Sequence, residues 1–241
     1  MRGARVAVAC AALLGLGALP GCYGNEATEF PPGVEPWEEN LAPMPPDDGE
    51  MPCAEELTFH RSSWGRRINA MHARACIHQP IEVVWRALRN PQTARDPVST
   101  ADWRVLEWDV ARDDDPAPDY SYRTWTFVDD IIDLEFEQIW RHYLVEGTDD
   151  APLLTATRWQ KTFGTTAISV MEGSIVARPF ESDPSITLVE YQYHLDAVAR
   201  DDHDTIEGFL RVIYGRLRQD AHREPLVPSD CRECPEPPDG Y

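Results

Sequence analysis

Apolar residues recur at i, i+3 and i+4 through residues 205–222, TIEGFLRVIYGRLRQDAH, where Ile206, Phe209, Leu210, Ile213, Tyr214, Leu217 and Ala221 form a one-sided stripe. The spacing predicts an amphipathic helix. Asp204 stands where an N-cap belongs, with Glu207 three residues on in capping-box spacing, and Pro225 stops the helix after Arg216, Arg218 and His222. So wide a stripe needs a broad apolar partner, and most of residues 68–197 read as strand, so the expected partner is an antiparallel sheet.

Strands are expected at about 68–77, 103–110, 120–128, 131–145, 153–163, 166–178 and 186–197, with the folded region opening near Phe59. Turn chemistry separates them at Asp113 to Pro118, Gly147 to Asp150 and Glu181 to Pro184. After the first strand, Pro80 takes the first position of a helix whose face holds Ile81, Val84, Trp85 and Leu88. Asn90-Pro91 ends it, and residues 92–96 add a short second one.

Strand parity separates an inward from an outward face. Ile132, Leu134, Phe136, Gln138, Trp140, His142 and Leu144 alternate with Asp133, Glu135, Glu137 and Arg141, which belong in water. Val189, Tyr191, Tyr193 and Leu195 likewise oppose Glu190, Gln192 and His194, and Leu106, Trp108 and Val110 form a third inward row. Parity is ambiguous where Leu153, Trp159 and Phe163 share a face with Lys161, the single lysine.

The segment IHQPIEVVWRALRNP and the closing amphipathic helix resemble the START-like (SRPBCC) superfamily, the helix-grip fold that includes birch-pollen allergens and polyketide cyclases. The local signature is an apolar residue, a proline, then Val-Trp on the first helix: here Ile77, Pro80, Val84 and Trp85. The likeness spans residues 67–223. It implies an α+β helix grip: a curved antiparallel sheet of about seven strands, two short helices after the first strand, and a long C-terminal helix over a cavity. The expected ligand-binding residues are Trp108, Phe136, Gln138, Trp140, His142, Tyr191, Tyr193, Phe209 and Ile213. Such a lining suits a hydrophobic small molecule or lipid oriented by one or two hydrogen bonds. The same residues also describe a filled core. In a catalytic relative, a cyclase or dehydratase acting on a polyketide- or steroid-like substrate, His142 with Tyr191 or Tyr193 would supply the acid and base.

Charge narrows the partners. The net charge is −20, and removing a leader that contains Arg2 and Arg5 leaves −22, so nucleic acid is not an expected partner. The leader is legible in Met1 to Arg5 followed by the apolar residues 6–19, about 14 residues against the ~20 needed to span a bilayer. It ends in Leu19-Pro20-Gly21-Cys22, which resembles a bacterial lipobox with Cys22 as the lipidated first residue of the mature chain. Tyr23 in place of aspartate then implies the outer membrane, facing the periplasm or the cell surface. The expected organisation is a signal peptide at 1–21, a Pro-rich acidic tether at 22–56, the START-like domain at 57–223 and a Pro-rich tail at 224–241.

Four cysteines remain besides Cys10 and Cys22. An exported compartment favours disulfides, so Cys53, Cys76, Cys231 and Cys234 are expected to staple the flanking segments to the first strand, with a zinc site as the alternative. No cofactor or metal is expected, because the seven histidines are scattered, and HExxH, GxSxG and a glycine-rich phosphate loop are absent from the sequence. The reading is a lipid-anchored envelope protein that binds or carries a hydrophobic molecule. An enzyme, or a scaffolding lipoprotein with a filled core, is the alternative.

Overall fold

A computed structural model describes residues 53–64, 68–114, 116–129, 133–198 and 202–226. The leader, Cys22, the tether up to Pro52, Cys231 and Cys234 therefore lie outside the described residues, as do Ile131 and Ile132. The elements run β1 (Thr58–Trp64), β2 (Ile68–Ile77), α1 (Ile81–Arg89), a 3-10 turn (Pro91–Ala94), β3 (Asp102–Trp108), β4 (Tyr120–Val128), β5 (Leu134–Thr148), β6 (Ala151–Gly164), β7 (Ile168–Phe180), β8 (Asp183–Ala197) and α2 (Asp202–Ala221). All the strands join one open antiparallel sheet in the order β1-β2-β8-β7-β6-β5-β4-β3. Both helices pack on one face of it. The order of elements is that of a helix grip, with departures in detail.

The sheet has eight strands where about seven are expected. The additional one, β1, escapes the alternation test because its inward position at Arg61 is charged. Arg61 reaches α2 and binds Asp204 at 2.7 Å and Glu207 at 2.8 Å. That contact also corrects the start of the last helix: α2 begins at Asp202, and Asp204 serves as the partner of Arg61 instead of an N-cap. At α1 the proline is the cap and Ile81 the first helical residue, and the second short helix is only the 3-10 turn.

The buried face of α2 holds Ile206, Leu210, Ile213, Tyr214, Leu217 and Ala221, with Phe209 half-buried against the same core. Each large apolar side chain so buried contributes about 1.5–3 kcal/mol. Two hydrogen bonds from its buried side help to fix the helix in place. Tyr214 Oη donates to the Cys76 carbonyl at 2.7 Å, and Arg216 Nε donates to the Gln92 carbonyl at 2.8 Å.

Bulges break the period-2 pattern where parity fails. A register shift between Val105 and Glu107 inserts Leu106, which turns outward at 39 % exposure, while Trp103, Val105 and Trp108 face in. A second shift, opposite Glu137 and Gln138, separates Phe163 from Lys161: Phe163 is 48 % exposed and Lys161 fully buried. Leu153 is turned out by a third shift near the β5–β6 turn. On β8, Gln192 and His194 leave the expected pattern, being outward by parity yet buried.

One cross-strand row runs the width of the inner face: Trp108, Tyr122, Trp140, Trp159, Gly173, Tyr193 and Met71. Successive aromatic centroids are 5.6, 6.2, 5.1 and 5.6 Å apart from Trp108 to Tyr193, and Phe209 of α2 adds a fifth contact at 5.3 Å. The row can cross β7 because Gly173 has no side chain. A Cβ there would stand 2.1 Å from the Trp159 ring and 2.4 Å from the Gln192 carbonyl. Gly173→Ala is therefore expected to destabilise the domain by at least about 1–3 kcal/mol, seen as a lower urea midpoint with an unchanged slope. An unaltered midpoint would show that Trp159 has room to move.

Candidate functional site

Two polar rows flank the aromatic row. On one side, Tyr120, His142, Thr157, Ile175, Tyr191 and Ala73 lie in register across β4, β5, β6, β7, β8 and β2. On the other, Thr124 faces Gln138, and Gln138 faces Lys161. The rows exist because β4 and β6 alternate threonine and tyrosine or tryptophan with outward residues, which places hydroxyls among the rings.

Of the expected ligand-binding residues, Phe136, Gln138, Trp140, His142, Tyr191, Tyr193 and Ile213 are buried in this interior. Trp108 and Phe209 are half-buried at its margins. The interior also holds Tyr122, Thr124, Thr155, Thr157 and Trp159 on β4 and β6, together with Arg89 on α1, none of which the sequence pattern singles out as a site residue. The alternation of residues 155, 157 and 159 was a usable signal, masked by the bulges on either side.

Among the described residues, one small pocket lies between sheet and helices. Trp140, Thr157, Ile175 and Tyr191 from the sheet, Leu88 from α1 and Ile213 and Leu217 from α2 enclose about 10 Å³, room for about one water. Trp85, Trp159, Tyr122 and Tyr191 are among the largest fully buried side chains of this interior.

Polar atoms in that interior are incompletely satisfied. His142 shares a hydrogen bond through Nδ1 with Thr157 Oγ1 at 2.9 Å, while its Nε2 has no hydrogen-bond partner. Tyr191 Oη, Trp159 Nε1, Thr155 Oγ1 and Thr124 Oγ1 are in the same state. A buried polar group without a partner costs about 1–3 kcal/mol. The pair that a catalytic relative would use is not assembled: among the described residues, His142 bonds Thr157 and not Tyr191 or Tyr193. Gln138 Nε2 instead lies 3.3 Å from Met171 Sδ, and Lys161 Nζ donates to the carbonyls of Thr165 and Ile168 at 3.1 and 2.5 Å.

A clasp closes the interior above His142. Asp149, in the β5–β6 turn, accepts from Trp85 Nε1 at 2.8 Å, from Arg89 Nη1 at 3.2 Å and from Tyr120 Oη at 3.4 Å. The Arg89 guanidinium lies over the Tyr120 ring at 4.2 Å and over Trp85 at 5.2 Å. Trp85 and Tyr122 in turn pack on His142, with centroids at 6.4 and 5.3 Å.

Of the four cysteines expected to pair, Cys53 and Cys76 form a disulfide, which withdraws two ligands from any four-cysteine zinc site. Cys76 points to the outer face of β2, since its neighbours Ala75 and Ile77 are in the core.

Burial moves the titration of His142 down to about 3, with the Arg89 charge as a smaller contribution in the same direction. His72 and His194 are held down to about 4, again chiefly by burial. Between these values and about 6.5, the unfolded chain takes up protons that the folded chain refuses, so stability is expected to fall as pH drops from 6.5 towards 4. Each site contributes at most about 1.4 kcal/mol per pH unit. His142→Asn, which keeps an acceptor near Thr157, should flatten this dependence. Urea titrations at pH 4, 5 and 6.5 measure it, and equal slopes for the two proteins would refute the assignment.

No family model matches the chain, and no curated protein matches it. Solved structures do. The aromatase/cyclase ZhuI from Streptomyces sp. R1128 aligns over 65 % of this chain and 94 % of its own, at 14 % identity and TM-score 0.43. The human StarD13 (DLC2) lipid transfer and protein localization domain aligns over 73 % and 88 %, at 12 % identity and TM-score 0.49. Ara h 8.0201 aligns over 65 % and 99 %, at 7 % identity and TM-score 0.42. Each is a structure to which this chain is similar over about two thirds to three quarters of its length.

Proposed function

We propose that this protein is anchored to the bacterial envelope through an acylated Cys22 and that its folded domain takes up a small hydrophobic molecule bearing a hydrogen-bonding group. The observation that carries the binding reading is the unpartnered Tyr191 Oη and His142 Nε2 inside an otherwise aromatic interior. Hydrogen-bonding groups at separate points of a ligand placed between α2 and the sheet would satisfy them one each, since β5 and β8 lie about 14 Å apart across the sheet. Room for it comes from outward movement of α2 and the 3-10 turn, which are joined to each other by Arg216 and to the sheet by Tyr214. The Cys53–Cys76 disulfide accords with an exported location, where thiols are oxidised.

The small volume beneath α2 favours a second reading, a scaffolding lipoprotein whose interior stays filled and whose partners sit outside.

Native mass spectrometry of protein extracted from membranes separates the two. A bound small molecule is expected, and Tyr191→Phe and His142→Asn should each weaken its retention about 5- to 100-fold while the fold survives. Protein that is always empty, with tryptophan fluorescence indifferent to sterol, fatty-acid and aromatic polyketide probes, would favour the filled scaffold. Anchoring is tested separately: metabolic labelling with a palmitate analogue should mark the chain and be lost in Cys22→Ala. Labelling that persists there would refute the anchor.

A further inference from the structure

At the mouth above His142 a buried cation is answered by a wet acid. Arg89 is 6 % exposed and Trp85 fully buried, whereas the Asp149 side chain that accepts from both is 51 % exposed. The donors stand on α1 and β4. The acceptor stands on the tip of the β5–β6 hairpin, where residues 145–151 are all exposed and register shifts at Leu144/Glu146 and Glu146/Gly147 interrupt the ladder.

The fit of Asp149 to these donors is incomplete. Trp85 Nε1, Arg89 Nη1 and Tyr120 Oη converge on the single oxygen Oδ1 at 2.8, 3.2 and 3.4 Å. A guanidinium that meets a carboxylate well does so through two parallel bonds of about 2.7–2.9 Å. Here it makes one longer bond, and its buried Nε has no hydrogen-bond partner. Among the described residues Asp149 is the one carboxylate bonded to Arg89. The last turn of α1 offsets part of the charge but leaves the Nε donor unmet.

The clasp opens onto the apolar interior. Leu88, next to Arg89 on α1, lines the small pocket together with Thr157 and Tyr191. From Tyr120 the row through His142, Thr157 and Ile175 reaches Tyr191 after four strand spacings, about 19 Å.

We infer that Asp149 occupies the seat of a ligand carboxylate: the molecule taken up is a hydrophobic carboxylate whose head displaces Asp149 from Trp85, Arg89 and Tyr120 and whose apolar body follows the row towards Tyr191. This names the ligand class for the uptake proposed above and rests on that reading. The exchange keeps Arg89 paired with one negative charge and lets its Nε take part in a fork. Asp149, already half in water beside the exposed Asp150, loses little by leaving. A neutral molecule that displaced Asp149 would strand the buried guanidinium, so the seat selects for an anion.

Isothermal titration of the full chain with decanoate and with decanol, both kept below their aggregation limits, tests this. The unaltered chain should prefer the acid. Asp149→Ala should bind decanoate about 10-fold more tightly and decanol within about 2-fold of the unaltered chain. Arg89→Gln should abolish the preference for the acid, with the thermal midpoint recorded for each variant. Because Asp149 is exposed, its replacement decides the matter even where Arg89→Gln does not fold. Unchanged or weaker decanoate binding in Asp149→Ala would overturn the inference and leave Asp149 as a structural counter-ion. Equal tightening for decanol would overturn it too, since Asp149 would then be a steric plug, while hydrophobic uptake would stand. Failure of both probes to bind either protein would sink the seat and the uptake reading together.

Discussion

The interior depends on one missing side chain. Gly173 leaves the hole into which the Trp159 ring passes, and through that ring the aromatics of β4 and β5 reach Tyr193 and the helix residue Phe209. Edge-to-face and offset contacts of this kind add about 0.5–1.5 kcal/mol per pair beyond area burial. A continuous belt therefore links the far edge of the sheet to α2. It sets the depth at which α2 rides, and so decides how much space remains beneath it.

The polar rows on either side of the belt give the interior its chemical character. A packed core would normally be hydrocarbon at these positions. Hydroxyls, an imidazole and an indole nitrogen among the rings lower stability unless something meets them. The Asp149 clasp concentrates charge at the mouth above His142, so the imidazole sits between a wet ion pair and a dry row of rings.

Much of this was legible before any coordinates. The helix stripe from Ile206 to Ala221, the inward alternation from Phe136 to His142 and the Val189 to Leu195 row each follow one period without interruption, and each lies where that period puts it. The failures share a physical cause. At Leu106 and Leu153 the added residue is itself apolar, so alternation cannot reveal the bulge, and before Phe163 the added Thr162 turns Phe163 to the outer face. β1 was hidden because an ion pair to α2 replaces apolar burial at Arg61. Parity left the side of Lys161 open, and the two carbonyls converging on its ammonium account for its place inside. Among the site residues, the rings of β5 and β8 were recovered, while Tyr122 and Thr124 of β4 and the threonines and Trp159 of the bulged β6 were not.

The disulfide has a mechanical consequence. β1 is an edge strand, and edge strands peel readily when a chain is drawn away from its end, because their hydrogen bonds break one at a time. Here β1 lies within the covalent loop that Cys53 and Cys76 close. Tension arriving from the N-terminal side enters the sheet at the end of β2, between two neighbours, and leaves β1 slack. The load is thus borne by strands held on both flanks, and the outermost one is spared.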